Sequence, residues 1–242
     1  MRMSPQGANK VSHEAISWIK GRLFRGAPSA TRKDILLLVL LSLLVSSCST
    51  NTPPPAPEIV SVFSTYAAEP WLSELYDCGA SQGDVTLSRA DDPSAADIAL
   101  RVGEPKALIQ PAFQIDTEEI LIVTHRQSPI QNLTLEQAQI LFAQGDPSVQ
   151  VWVYASDADE QQVFDQLVMN GRSVTSSARV AVSPQRMSDT LVNEFNAVGI
   201  LPRHWKAGDV REVYSAGTVP VLALTRTEPQ GVVKELISCL QK

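Results

Sequence analysis

Strand and helix patterns alternate along the chain after residue 57, and this alternation limits the possible folds more than any other feature of the sequence. The segment "EIVSVFST" is rich in β-branched and aromatic residues, as in a strand, and "EPWLSELYDC" follows with Pro70 suited to a first helical turn. Further strand patterns are "DVTLSRA", "ARVAVS", "VREVYS" and "VPVLALTR", and "EPQGVVKELISCLQ" has a helical pattern. The alternation predicts an α/β architecture with largely parallel strand pairing.

Three of the predicted helices carry recognisable start signals. Thr134 and Gln137 have the spacing of a capping box ahead of an apolar helical face. Ser156 and Asp159 have the same spacing, so we expect a second capping box there. In "SPQRMSDTLVNEFN", the serine and proline suit a cap and a first-turn residue.

Residues 1–47 have the order of segments of an export signal. Arg32 and Lys33 precede the apolar run "ILLLVLLSLLV", which is shorter than the ~20 residues of a membrane-spanning helix. The tetrad Val45-Ser46-Ser47-Cys48 resembles the bacterial lipobox. That resemblance implies cleavage before Cys48, a diacylglycerol anchor on Cys48, and an extracytoplasmic protein attached to the bacterial cell membrane by its lipid alone.

The segment that begins at Cys48 is polar and proline-rich, whereas the leader before it is basic. Residues 48–57, "CSTNTPPPAP", are polar and proline-rich, which predicts an extended tether. The leader is longer and more basic than most signal peptides. Two interpretations of it stay open: a start codon assigned too far upstream, or a basic cytoplasmic extension around Ile16 to Phe24.

The charge of the chain excludes some classes of partner. Without residues 1–47 the chain has 13 Lys and Arg against 24 Asp and Glu, a formal charge of about −11. A nucleic-acid-binding protein would show a basic patch, so we expect no nucleic-acid partner. The sequence has no zinc-like Cys/His spacing and no G-x-S-x-G, P-loop, S-x-x-K or H-E-x-x-H motif. We therefore expect neither an enzyme nor a metal or other cofactor.

Two cysteines remain beside Cys48. Cys78 and Cys239 form an even pair in a chain that we expect to be exported, and this predicts a disulfide between them. The alternative, two separate buried thiols, stays open because sequence cannot show whether the two Cα atoms come within ~7 Å.

Three stretches together resemble the phosphate-binding proteins of ABC transporters and their relatives. They are "EEILIVTHRQSPIQNLTLEQAQILFAQGD", "ADIAL" and "MSDTLVNEFNAVGILP". The resemblance implies a two-lobed type II periplasmic binding-protein fold, in which each lobe is a mostly parallel sheet flanked by helices. Lobe 1 would be residues 58–122 with 216–242, and lobe 2 residues 123–215. Cys78 and Cys239 would then share a lobe, which favours the disulfide.

The same resemblance implies a function and a site. It suggests a monomeric solute-binding component of an ABC importer, with an ABC permease as its partner and a small molecule or ion held between the lobes. In the family, hydroxyls and backbone N–H groups of two loops hold an oxyanion. The corresponding residues here are Ser64, Thr65 and Tyr66 in the first loop, Arg101 at a strand end, and Ser156 and Asp157 in the second loop.

The second loop departs from the family pattern. It reads "ASDADEQQ", where the family has Ser-Gly-Thr, so Asp157, Asp159 and Glu160 would place negative charge beside a bound phosphate. An uncharged or cationic solute is physically easier. Two alternatives stay open: the carboxylates only cap a helix and Arg101 is a surface residue, or the whole domain is a degenerate binding fold that acts as a sensor or protein-interaction module.

Overall fold

The structure, a computed structural model, describes residues 57–241. The predictions for the leader, Cys48 and the tether up to residue 56 lie outside these residues. The described part contains eight strands and five α-helices: β1 (Glu58–Ser64), α1 (Glu69–Gln82), β2 (Val85–Arg89), β3 (Ile98–Val102), β4 (Ala112–His125), α2 (Leu135–Gln144), β5 (Gln150–Val153), α3 (Asp159–Phe164), β6 (Arg179–Val180), α4 (Pro184–Asn193), β7 (Ala197–Pro202), β8 (Val210–Leu224) and α5 (Gly231–Leu240).

All eight strands belong to one sheet, in the order β2-β1-β3-β8-β4-β7-β5-β6. β1 pairs in parallel with β2 and β3, and β5 pairs in parallel with β6 and β7. The long strands β4 and β8 pair antiparallel between these two groups. The predicted α/β architecture is confirmed, with parallel groups at both ends of the sheet and an antiparallel pair at its centre.

Most predicted elements are present, with two differences in the strands. The segments "VREVYS" and "VPVLALTR" belong to one strand, β8, because a register shift opposite Ile120 and Leu121 absorbs the extra residue Ala216 instead of ending the strand. The predicted strand "ARVAVS" is reduced to the two residues of β6.

The helix starts follow the sequence at two of the three predicted positions. The Thr134 capping box of α2 is confirmed, since its hydroxyl accepts from the N–H of Gln137 and the Gln137 side chain accepts from the N–H of Thr134. Ser183 caps α4 as predicted. The predicted capping box of Ser156 and Asp159 is wrong: α3 begins after Ala158 with no side-chain cap, because the Asp159 carboxylate bonds elsewhere.

The core is formed by buried strand residues together with residues of the helices that pack on the sheet. The rings of Phe142 in α2 and Phe164 in α3 lie 4.7 Å apart between centroids. Trp71 of α1 is buried, and its Nε1 donates to Asp116 of β4 at 2.9 Å. All described residues fall in one compact unit, and the division into two lobes stays a prediction. Within residues 57–241, no helix combines the length and the hydropathy of a membrane span.

A disulfide joins the first and last helices of the described chain. It links Cys78 of α1 to Cys239 of α5, whose Cα atoms are 6.1 Å apart. The bond closes a loop with a sequence separation of 161 residues. The start and the end of the domain are therefore tied together covalently.

Candidate functional site

A cavity of about 500 Å³ opens where the parallel strand groups end. One wall is formed by residues 63–66, at the end of β1, and 89–91, at the end of β2. The facing wall is formed by residues 154–155 and 157–160, between β5 and α3, and by residues 180–184 before α4. Carboxyl ends of strands and the helices that follow them meet at this cavity, as they do at ligand sites of open α/β sheets.

The predicted first-loop residues all line this cavity. Ser64 is buried, and its hydroxyl donates to the carbonyl of Thr65 at 2.9 Å. Thr65 is half-buried, and Tyr66 is exposed at the mouth. The loop is short because the buried Ala67 and Ala68 lead directly into α1. The end of β1 thus presents three hydroxyl groups at one wall.

The carboxylate of Asp159 is held by donors from the first loop of the facing wall and from β3. Its Oδ2 accepts from the Thr65 hydroxyl at 2.8 Å and from the backbone N–H of Val102 at 3.0 Å. Its Oδ1 accepts from the guanidinium of Arg101, through Nε at 3.0 Å and also through Nη2. We call these hydroxyl, amide and guanidinium groups the donor cluster. Hydroxyl, backbone amide and arginine are the groups that commonly hold an oxyanion.

The Asp159 side chain is therefore an internal anion at the position that sequence analysis assigned to a ligand. It is 4% exposed, and its charge is balanced by Arg101. The interaction links α3 to β3 and the β1 loop, over 58 and 94 residues of sequence. It also explains why Asp159 does not take part in the expected capping box of α3.

The remaining predicted site residues separate into two groups. Asp157 lines the cavity and is exposed. Arg101 does not line the cavity, because its guanidinium lies against Asp159. Ser156 lines a different depression, which it shares with Lys106 and Arg172.

Glu160 is a cavity residue with an unusual environment. It is 2% exposed, and its Oε1 has no hydrogen-bond partner. Burial raises the pKa of its carboxyl to about 7, a hydrogen bond from its own backbone offsets part of this, and the neighbouring Asp159 charge adds to it. Tyr154 lies in the same wall, and its hydroxyl donates to the carbonyl of Ile200 at 2.9 Å.

Sequence reasoning missed part of the cavity. Residues 180–182 carry no motif, and Ser183 and Pro184 were predicted only as a helix start. Their place in the wall depends on the pairing of β6 with β5. Arg89 ends β2 and Asp91 follows it, and only the parallel pairing of β1 with β2 brings them beside the first loop. The one available signal was their position at the carboxyl end of a predicted strand.

Comparison with known proteins identifies the fold. No protein-family model and no curated protein matches the chain. A solved phosphate ABC transporter substrate-binding protein from Clostridium perfringens, with bound phosphate, is 15% identical and has a TM-score of 0.67, covering 76% of this chain and 93% of that one. An ABC-type phosphate transport receptor from Vibrio cholerae is 17% identical, with a TM-score of 0.56 and the same coverages.

Regulatory domains share the same architecture. The regulatory domain of MetR, a LysR family regulator from N. meningitidis, is 14% identical, with a TM-score of 0.55, covering 76% of this chain and 93% of that one. At such identities the likeness shows the fold alone. The chain has the type II periplasmic binding-protein fold, which LysR regulatory domains also have.

Proposed function

We propose that this chain is a lipid-anchored extracytoplasmic solute-binding protein, the substrate-binding component of an ABC importer. The observation that carries the proposal is the cavity of about 500 Å³ at the strand ends, a volume typical of small-molecule sites. The solved phosphate-binding proteins with this fold support the assignment to transport. The export signal and Cys48 in the sequence support the anchor and the location.

The same proposal specifies where the ligand lies, which partner the protein has and how it contacts the membrane. The ligand lies between lobe 1, residues 58–122 and 216–242, and lobe 2, residues 123–215, and β4 and β8 cross between the two lobes. The protein acts as a monomer that delivers its solute to an ABC permease and contacts the membrane only through the lipid on Cys48. It binds no nucleic acid and catalyses no reaction.

The ligand that we propose is uncharged or cationic rather than phosphate. The Asp159 carboxylate already occupies the donor cluster, and three further carboxylates, those of Asp91, Asp157 and Glu160, line the cavity. A second anion would meet this negative charge in a partly desolvated site, where like-charge repulsion is strong.

Thermal unfolding of the purified protein against a panel of solutes tests the proposal. The panel contains phosphate, sulfate, molybdate, carboxylates, sugars, amino acids and polyamines. A ligand at a hundred times its dissociation constant adds about 2.7 kcal/mol, which raises the Tm of a domain of this size by roughly 5–10 °C. We expect such a shift from one uncharged or cationic class and none from phosphate.

Two tyrosine variants show whether the hit binds in the cavity. Tyr66→Ala removes an exposed side chain at the cavity mouth and should reduce the shift. Tyr76→Ala removes an exposed tyrosine of α1 outside the cavity and should leave the shift unchanged. Equal shifts in the two variants would exclude Tyr66 and the cavity mouth from the binding site.

One observation favours a second function, that of a sensor or protein-interaction module without transport. Asp159 bonds to the first loop of the facing wall and to β3, so the protein's own groups make the link between the walls that a solute makes in a binding protein. A module of this kind would unfold cooperatively and show no Tm shift with any solute of the panel. That result would replace solute transport with protein binding as the proposed function.

A further inference from the structure

Three hydroxyl groups in the cavity wall already donate within the protein. Ser64 donates to the carbonyl of Thr65 at 2.9 Å, and Thr65 donates to Asp159 at 2.8 Å. Tyr154 donates to the carbonyl of Ile200 at 2.9 Å. A hydroxyl has one proton to donate, so none of these three has a proton left for a ligand.

Other donors of the wall are also in use. The backbone N–H groups of Ala90, Ala158 and Ala181 donate to backbone carbonyls. Arg89 is the one Lys or Arg among the described lining residues, and it pairs with Glu69 at 3.1 Å. A sugar or an anion gives up hydrogen bonds with water when it enters a site and needs donors there to replace them. A ligand rich in hydrogen-bond acceptors therefore fits this cavity poorly.

The carboxylates of the wall supply little affinity for a cation. Asp91 and Asp157 are exposed, so water already solvates their charges and an ion pair with a ligand adds little. Asp159 has its partners inside the protein, and Glu160 is 2% exposed, which leaves almost no surface for a ligand to contact. Charge thus favours neither an anion nor a cation strongly.

The mouth of the cavity is apolar on both sides. Tyr66 on one wall is 59% exposed, and Val180 and Val182 on the facing wall are 56% and 77% exposed. Ten large hydrophobic side chains are exposed in the described part of the chain, and these three lie around one cavity. Single exposed apolar residues are ordinary, whereas a group of them around a cavity of about 500 Å³ is typical of a ligand site.

We infer that the cavity binds an uncharged, mainly hydrocarbon molecule, such as an aromatic compound with at most one or two polar groups, held between Tyr66 and the pair Val180 and Val182. The inference rests on the proposed solute-binding function and narrows the class of its ligand. Its affinity comes from the burial of apolar surface, so it increases with ligand length and does not decrease when salt is added.

Two fluorescent dyes with the same carbon skeleton test the inference on the full chain. N-phenyl-1-naphthylamine is uncharged, and 8-anilino-1-naphthalenesulfonate carries a sulfonate on that skeleton. Both dyes brighten when they move from water to an apolar site. We expect the uncharged dye to bind at least roughly tenfold more tightly than the sulfonate, because the anion meets the acidic wall without free donors. Its affinity should be the same at about 50 mM and about 500 mM NaCl.

Competition with small molecules shows whether apolar area sets the affinity. Straight-chain alcohols from propanol to hexanol should displace the uncharged dye, each added methylene tightening binding roughly fourfold. The compound 2-phenylethanol should displace it as well, whereas phenylacetate and glucose should not.

Two double variants show whether the dye lies at the cavity mouth. Tyr66→Ser/Val182→Ser removes an exposed tyrosine and an exposed aliphatic residue of the mouth, and it should bind the uncharged dye at least roughly tenfold more weakly. Tyr76→Ser/Ile109→Ser is the matched control, because it removes the same kinds of exposed side chain outside the cavity. The control should bind the dye like the wild type.

The inference is overturned if the sulfonate binds as tightly as the uncharged dye, if neither dye binds, or if the two double variants bind equally well. The comparison of dyes and salts on the wild type decides the matter even if a variant does not fold. A sugar, amino acid or polyamine that raises the Tm while the uncharged dye does not bind would preserve the proposed function and remove the inference. No response to any solute or dye would remove both.

Discussion

Replacing Asp159 with alanine is expected to lower the free energy of unfolding by about 3 kcal/mol. The substitution leaves Arg101 without its carboxylate and the buried N–H of Val102 without its acceptor. It also removes the contact with the Thr65 hydroxyl that links the two walls of the cavity. Urea denaturation of the wild type and of Asp159→Ala measures the difference.

The same variant should gain an anion site. Its donor cluster, formed by Thr65, Arg101 and the Val102 N–H, would be free to hold an external oxyanion. Phosphate, sulfate or formate should therefore raise the Tm of Asp159→Ala and have no specific effect on the wild type. At ten times its dissociation constant an anion restores about 1.4 kcal/mol.

Asp157→Ala is the control for Asp159→Ala, since Asp157 is an exposed carboxylate two residues away with no donor from the facing wall within the described residues. We expect a change within about 0.5 kcal/mol and no anion response. Equal stability of the two variants would show that the Asp159 interactions contribute little. Destabilisation of Asp159→Ala without any anion response would show that the donor cluster does not persist as an anion site.

Removing the disulfide is expected to cost about 5 kcal/mol. The bond between Cys78 and Cys239 closes a loop with a sequence separation of 161 residues, and the chain-entropy model gives a stabilisation of this size for so long a loop. A domain whose total stability is of order 10 kcal/mol would lose a large part of it. The measurement is urea denaturation of Cys78→Ser/Cys239→Ser.

Cys48→Ser serves as the parent for this comparison, because it leaves only the two paired cysteines in the chain. Reductant should destabilise the parent to the level of the double variant and should not affect the double variant. Equal midpoints for the oxidised parent and the double variant would contradict the prediction.

Local signals explain how much of the fold the sequence predicts. Thr134 and Gln137 are three residues apart, and their capping box forms as expected because all of its partners lie within one turn. β1, α1 and α4 follow from periodicity, proline and capping residues in the same way. The β8 bulge at Ala216 is different, since its register is set by β4, about a hundred residues earlier.

The site was predictable only in outline. The first loop and the acidic second loop were found because each follows a strand end that the family resemblance places at a cleft. Local spacing gave Asp159 the role of a helix cap, but its donors Thr65 and Val102 lie 94 and 57 residues away in sequence. Long-range pairing of this kind leaves no periodic signal, so the internal anion became visible only in three dimensions.

A crystal structure of the wild-type protein grown with 10 mM phosphate would test whether an internal carboxylate holds the anion position. We predict that Asp159 remains bonded to Thr65, Arg101 and the N–H of Val102, and that no phosphate contacts these groups. Phosphate bound to the three donors, with the Asp159 side chain displaced, would contradict this assignment and would make the protein a phosphate-binding protein after all.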